Sequence, residues 1–127
     1  MDMRLSKFKM VSNLEIEILD AIKDKFNIKK QYKITYEGQN YFYDGQIDNI
    51  LIEVQGTYWH ADKRFFNEDV IIHGKTAKEI WKYDEYKKYV AEQNNFKILY
   101  IFEYDYKQNK KQTIDKLINE IYQFRNN

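Results

Sequence analysis

Residues 44–62 read D-G-Q-I-D-N-I-L-I-E-V-Q-G-T-Y-W-H-A-D, and this stretch decides the fold. Asp48-Asn49 is a tight-turn pair between two strand-like runs, Tyr41–Ile47 and Ile50–Gln55. The second run has period two. It puts Ile50, Ile52 and Val54 on one face and Leu51, Glu53 and Gln55 on the other. An antiparallel hairpin of this kind brings Asp44 towards Glu53. Two carboxylates at such a distance repel unless a cation lies between them. Hard oxygen donors suit Mg²⁺ or Mn²⁺, and such an ion can polarise a phosphodiester and activate water. Glu53 adds weight, because it is a charge inside an apolar strand with no cationic neighbour two residues away. The competing structural answer is a solvated sheet face.

Working outward, Ser12 or Asn13 caps a helix in which Leu14, Ile18, Ile22 and Phe26 recur at helical spacing, predicting helix over 13–26. Residues 28–36 form a strand, and 37–40 a turn. Thr57–Gly74 is irregular, and a loop of that length is functional or holds a short helix. Thr76 with Glu79 makes a capping box for a second helix. Its buried stripe is Ile80, Tyr83, Tyr86 or Lys87, and Val90, and Asn94-Asn95 ends it. Phe96–Phe102 is apolar on both faces, which predicts a central strand. A last helix covers 111–124, with Ile114, Leu117, Ile118 and Ile121 as its apolar face. The order αβββαβα predicts a mixed α/β (α+β) sheet with helices packed on it, in one domain over 1–127.

Loop 57–74 carries further candidates. His60 can act as general acid or base, or stabilise a phosphate. Tyr58 and Trp59 either stack on bases or anchor the loop to the core. Lys63, Arg64 and Lys75 are candidate phosphate contacts, with a solvated charge run as the alternative for the first two. His73 reads as an ordinary loop residue, and Trp81 as core.

Composition bounds the partners. The net charge is +1, so a domain that binds DNA avidly would need help from a dimer partner or a further DNA-binding module. The chain has no Cys, which excludes disulfides and Cys-based zinc sites and fits a reducing cytoplasm. No apolar run is long enough for a membrane span. Met1–Met10 has basic residues with no apolar stretch behind them, so no secretory leader is expected.

The pattern D-(x8)-E-V-Q followed by G-T-Y-W-H resembles the PD-(D/E)XK nuclease core. More narrowly it is similar to the very-short-patch-repair endonucleases and the phage homing endonucleases with a Glu/Asp/His/Asp site. I-W-K-Y-D-E-Y-K-K and N-N-F-K-I-L-Y-I-F-E-Y-D extend the likeness, which covers residues from about 12 to 106. The resemblance implies a restriction-endonuclease-like αβββαβ core with a C-terminal helix. It implies a Mg²⁺- or Mn²⁺-dependent DNA endonuclease that nicks, or cuts both strands as a dimer. Asp44 would be the principal metal ligand, Glu53 the second acid, and the Val54 carbonyl a further ligand. Gln55 would stand where lysine is usual, His60 would be the catalytic histidine, and Glu15 would approach the metal or its waters. Asp62 or Asp84 would supply the last acid. The repair enzymes' structural zinc uses Cys, so it is expected to be absent, and the homing branch is the closer one. Two other readings stand beside this one: a non-catalytic nuclease-fold module that binds nucleic acid or protein, and a metal-independent RNA nuclease using His60 and a lysine.

Overall fold

The computed structural model describes residues 12–125. The expectation for Met1–Met10 lies outside the described residues. Helix α1 (Asn13–Ile22) starts where the Ser12 side chain accepts the Glu15 N–H at 3.0 Å. It ends four residues before the predicted limit, in a turn closed by Lys25 N–H to the Ile22 carbonyl. Phe26 still reaches the core that Ile18, Leu19 and Ile22 fill. Burying each such aliphatic side chain contributes about 1.5–3 kcal/mol as an upper estimate.

Strands β1 (Lys29–Tyr36) and β2 (Gln39–Ile47) form a hairpin. Its turn, Glu37-Gly38, has positive φ at both residues, as a two-residue hairpin loop requires. The turn is thus shorter than the predicted 37–40. Asp48-Asn49 joins β2 to β3 (Ile50–Gln55), as its sequence predicts. A minor hairpin follows, β4 (Ile71–Ile72) and β5 (Lys75–Thr76), turning on His73-Gly74. Two-residue strands are too short to show a period, which is why 57–74 reads as irregular. Helix α2 (Ala77–Gln93) carries the expected Thr76/Glu79 capping box. Strand β6 (Lys97–Phe102) leads into a short helix α3 (Glu103–Gln108) and then α4 (Lys110–Phe124). α3 has one buried residue, Tyr106, and so no stripe to predict it by.

The main sheet has the order β1-β2-β3-β6, antiparallel except for the parallel β3–β6 pair. The mixed α/β class is therefore as expected. The position of β6 is not: its apolar pattern predicts a central strand, but it lies at the sheet edge. Helices supply the burial that a second neighbouring strand was expected to supply. Leu99 and Ile101 pack with α1 and α4 on one face, and Ile98 with α2 on the other. β3 is buried along its whole length. Ile50, Ile52 and Val54 join the α1/α4 side, while Leu51 joins Tyr43, Val90 and Ala91 under α2.

The stripe of α2 also differs from expectation. Its buried residues are Ala77, Lys87, Val90 and Ala91, whereas Tyr83 and Tyr86 are exposed. Among the described residues, no helix is long and apolar enough to cross a membrane.

One irregularity positions the site. The β1–β2 ladder runs from Lys30↔Gly45 to Tyr32↔Tyr43 and skips Gln31, whose φ is 51. The strands switch faces there. Tyr43 packs under α2, yet a Cβ at Gly45, two residues on, would meet Leu19 of α1 at 3.3 Å. Glycine lets α1 close onto the sheet at that point. The skipped level is that of Asp44.

Candidate functional site

The β2–β3 ladder ends at Gly45↔Ile52, so the strands part just where Asp44 and Glu53 face each other. Side chains replace the missing ladder bonds. The Asp44 N–H donates to Glu53 Oε1 at 3.0 Å, and the Val54 N–H donates to Asp44 Oδ2 at 2.7 Å. Both acids are almost fully buried, at 2% and 3% exposure. The sequence expectation that they converge is met.

The cation beside them comes from α2. Lys87 Nζ lies 2.7 Å from Glu53 Oε2 and 4.8 Å from the Tyr43 ring centroid. The Tyr43 hydroxyl donates to the Lys87 carbonyl at 2.6 Å, tying this helical turn to the sheet. Glu53 is thus a buried charge with an ammonium partner, and burial alone does not demand a metal there. Of the Tyr86-or-Lys87 alternative, Tyr86 is exposed and Lys87 is the buried member. Its signal was a lysine at i+7 from Ile80 on the apolar stripe, facing an acidic strand residue. The phenols of Tyr43 and Tyr100 are both pushed up, first by burial and next by the Glu53 carboxylate.

Glu15 reaches the same region through a relay. It is buried, and its Oε2 accepts from Gln31 Nε2 at 2.7 Å. Gln31 is the left-handed residue at the Asp44 level. Nothing in the sequence marks it, because its importance comes from backbone conformation.

His60 sits on a loop held at both ends. The Thr57 N–H donates to Glu103 Oε1 at 2.9 Å, and Trp81 Nε1 donates to the Ala61 carbonyl at 2.6 Å. Lys107 and then the Thr57 contact hold the Glu103 carboxyl below its usual range. Within this frame His60 Nδ1 lies 3.0 Å from Asp84 Oδ2 on α2. A carboxylate can only accept there, so Nδ1 carries the proton and Nε2 is left for proton transfer. Between the two candidates for the last acid, the geometry pairs Asp84 with the imidazole.

Asp62 is engaged elsewhere. Its carboxylate accepts from the Arg64 backbone N–H, Nε and Nη2 at 2.9, 3.0 and 2.7 Å. These bonds hold its carboxyl below the usual range. Arg64 Nη1 also donates to Asp105 at 2.7 Å, and its guanidinium lies over Phe102 and Tyr104. Asp62 and Arg64, expected as a catalytic acid and a phosphate contact, thus pair with each other and clamp the loop to α3.

The other expected contacts divide. Trp59 is 60% exposed and stacks on His73 at 4.2 Å, with Tyr58 edge-on to it at 5.3 Å. The loop's anchors are Trp81 and Phe66, not Trp59. Lys63 Nζ lies 5.2 Å from the Trp81 ring centroid. Lys75 is exposed beside Trp59 on the rim of a cleft of about 260 Å³ that also holds His60, Asp84 and Lys87. Gln55 lines a second cleft, of about 450 Å³, on the other side of the His60–Asp84 pair.

Asp44 and Glu53 offer hard oxygens of the kind Mg²⁺ takes, and Mg²⁺ is often held by one or two carboxylates plus water and phosphate. The donor chemistry therefore fits that ion. Among the described residues no three His, Asp or Glu side chains gather to hold a metal, so an all-protein cage is not present. The imidazole, expected to join the two acids, instead pairs with Asp84. A scan against family models, a search of curated proteins and a search of solved structures each find no match for this chain.

Proposed function

We propose that this chain is a metal-dependent DNA endonuclease that hydrolyses phosphodiester bonds, of the homing or repair type that the 44–62 motif resembles. The observation that carries it is the buried Asp44–Glu53 pair at the parting of β2 and β3, met by Lys87 from α2, where Asp84, three residues before Lys87, holds His60. Structural carboxylates seldom gather in a sheet interior at an interrupted ladder, because their desolvation is expensive. A Mg²⁺ ion bound by Asp44 and Glu53, with the Val54 carbonyl, would supply Lewis acidity to a phosphate and lower the pKa of a bound water. His60, oriented by Asp84, moves a proton at Nε2. Lys87 supplies the positive charge that Gln55 cannot, and so offsets charge developing on the phosphate. Trp59, Tyr58 and Lys75 are rim contacts for the nucleic acid. The near-neutral net charge calls for a second copy or a further module to hold DNA.

Plasmid cleavage titrated with Mg²⁺ and Mn²⁺ tests this. Cleavage should appear with metal, vanish in chelator and in Asp44→Asn, and fall by about 10²–10⁴ in His60→Ala. A parent that never cleaves under any divalent ion sinks the proposal. The module reading has one observation in its favour, since Lys87 already balances Glu53. It predicts DNA binding without cleavage, unchanged by Asp44→Asn.

A further inference from the structure

The cleft of about 450 Å³ has features that phosphodiester hydrolysis does not use. Trp81, Tyr100 and Phe102 line it with flat rings, the last two 6.3 Å apart between centroids. Gln55 sits beside Phe102 in the β3–β6 register and lines the same space. It is 6% exposed, yet its carboxamide has no hydrogen-bond partner among the described residues. No buried side-chain atom among them lacks a partner, so the surface its amide keeps is the surface it turns to the cleft. The amide is thus held nearly buried with its free donor and acceptor turned to the cleft, where a ligand can pair with both. The volume suits a small flat ligand.

A carboxamide offers one donor and one acceptor side by side. Adenine presents the complementary pair, an N6–H₂ donor and an N7 acceptor, and aromatic faces stack on any base. We infer that this cleft receives an unpaired nucleobase, stacked on its aromatic walls and read by Gln55, with adenine the best match. The base is an adjunct to the nuclease reading, on which the inference rests for its substrate. His60 and Asp84 border the cleft, so a base seated there brings its own strand to the imidazole. The substrate class is DNA with an unstacked nucleotide, such as a flap, bulge or single strand, where the energy needed to extrude a base is least. Gln55 is then a specificity residue, not a stand-in for lysine.

The test reads binding alone, in chelator, so that cleavage plays no part. In a Trp59→Phe background Trp81 is the single tryptophan and reports on the cleft. Single-stranded oligothymidylates carrying one central adenine or one abasic site are titrated in. The adenine strand should bind about tenfold more tightly and quench Trp81. Gln55→Met, close in volume, should equalise the two strands. Gln55→Glu, which loses the donor, should do the same, with thermal melts confirming that both fold. Equal affinity for the two strands in the parent overturns the inference, as does a preference that survives both substitutions. A preserved adenine preference in a chain that never cleaves condemns the nuclease reading alone.

Discussion

Two clusters in this protein share one formula, two carboxylates and one cation, and differ in almost everything else. Asp44, Glu53 and Lys87 lie inside the sheet, where the Lys87 and Glu53 side chains are 10% and 3% exposed. Arg64 and Asp105 lie at the surface, at 42% and 48% exposure, and cover Asp62, whose side chain is 4% exposed. The outer cluster uses the planar fork of arginine, which meets Asp62 through two nitrogens and leaves a third for Asp105. Every bond there closes on the protein, and aromatic faces cover the guanidinium. The inner cluster uses lysine, a point charge on one oxygen of one acid. Its acids are tied to backbone N–H groups that strand pairing would otherwise have satisfied. The difference teaches that charge count does not separate a closed staple from a buried pair set at a break in the sheet. Geometry, burial and an interrupted ladder do.

The largest break in the comparison should come from Lys87→Met. It takes the ammonium from the buried Glu53 carboxylate, so stability should fall by about 3–5 kcal/mol in urea denaturation. Adding Glu53→Gln should return much of that loss, and a single variant as stable as the parent would mean that the pair is not formed. Next in size is Thr76→Ala, which uncaps the helix carrying Lys87 and Asp84 but not the outer clamp. About 1 kcal/mol is expected, seen as a lower thermal midpoint. Arg64→Ala should lose about 1 kcal/mol, because the guanidinium and Asp105 are half exposed and screened by water and salt, and the Asp62 carboxylate it uncovers can take up water from that side. The loss should shrink further at 0.5 M NaCl, and an undiminished loss would show the clamp to be packing alone.

The smallest effect is the most diagnostic. Arg64 holds the Asp62 carboxyl below its usual value, so the folded state binds that proton less readily than the unfolded chain does. The resulting stability is complete above the unfolded value of about 4 and disappears as pH falls through the lower folded value. Urea midpoints of the parent and Arg64→Ala should therefore converge as pH drops below about 4. Parallel curves down to pH 2 would show that Asp62 draws nothing from the guanidinium.

Much of this was legible in the chain. The period of 50–55 set both faces of β3, and the turn residues at 48–49 set the hairpin that brings Asp44 to Glu53. Capping chemistry located α2. What escaped had no local signature. The edge position of β6 depends on which helices cover it, and an apolar run looks the same beneath helices as between strands. Lys87 shares a place on the stripe with Tyr86, and only the docked helix shows that the lysine is the buried one. The left-handed Gln31 depends on a face switch that only pairing reveals. Asp62 lies nearer to His60 in sequence than Asp84 does, but Arg64, two residues on, captures it first.

Asp84 and Lys87 stand three residues apart on α2, one reaching out to the loop and the other in to β3. The helix therefore acts as a rigid spacer with two prongs. A slide along its axis by even half a turn would break the His60–Asp84 and Lys87–Glu53 contacts together. Any activity that needs both, as the proposed one does, would then fail in a single step, with an all-or-none dependence on how one rod is seated.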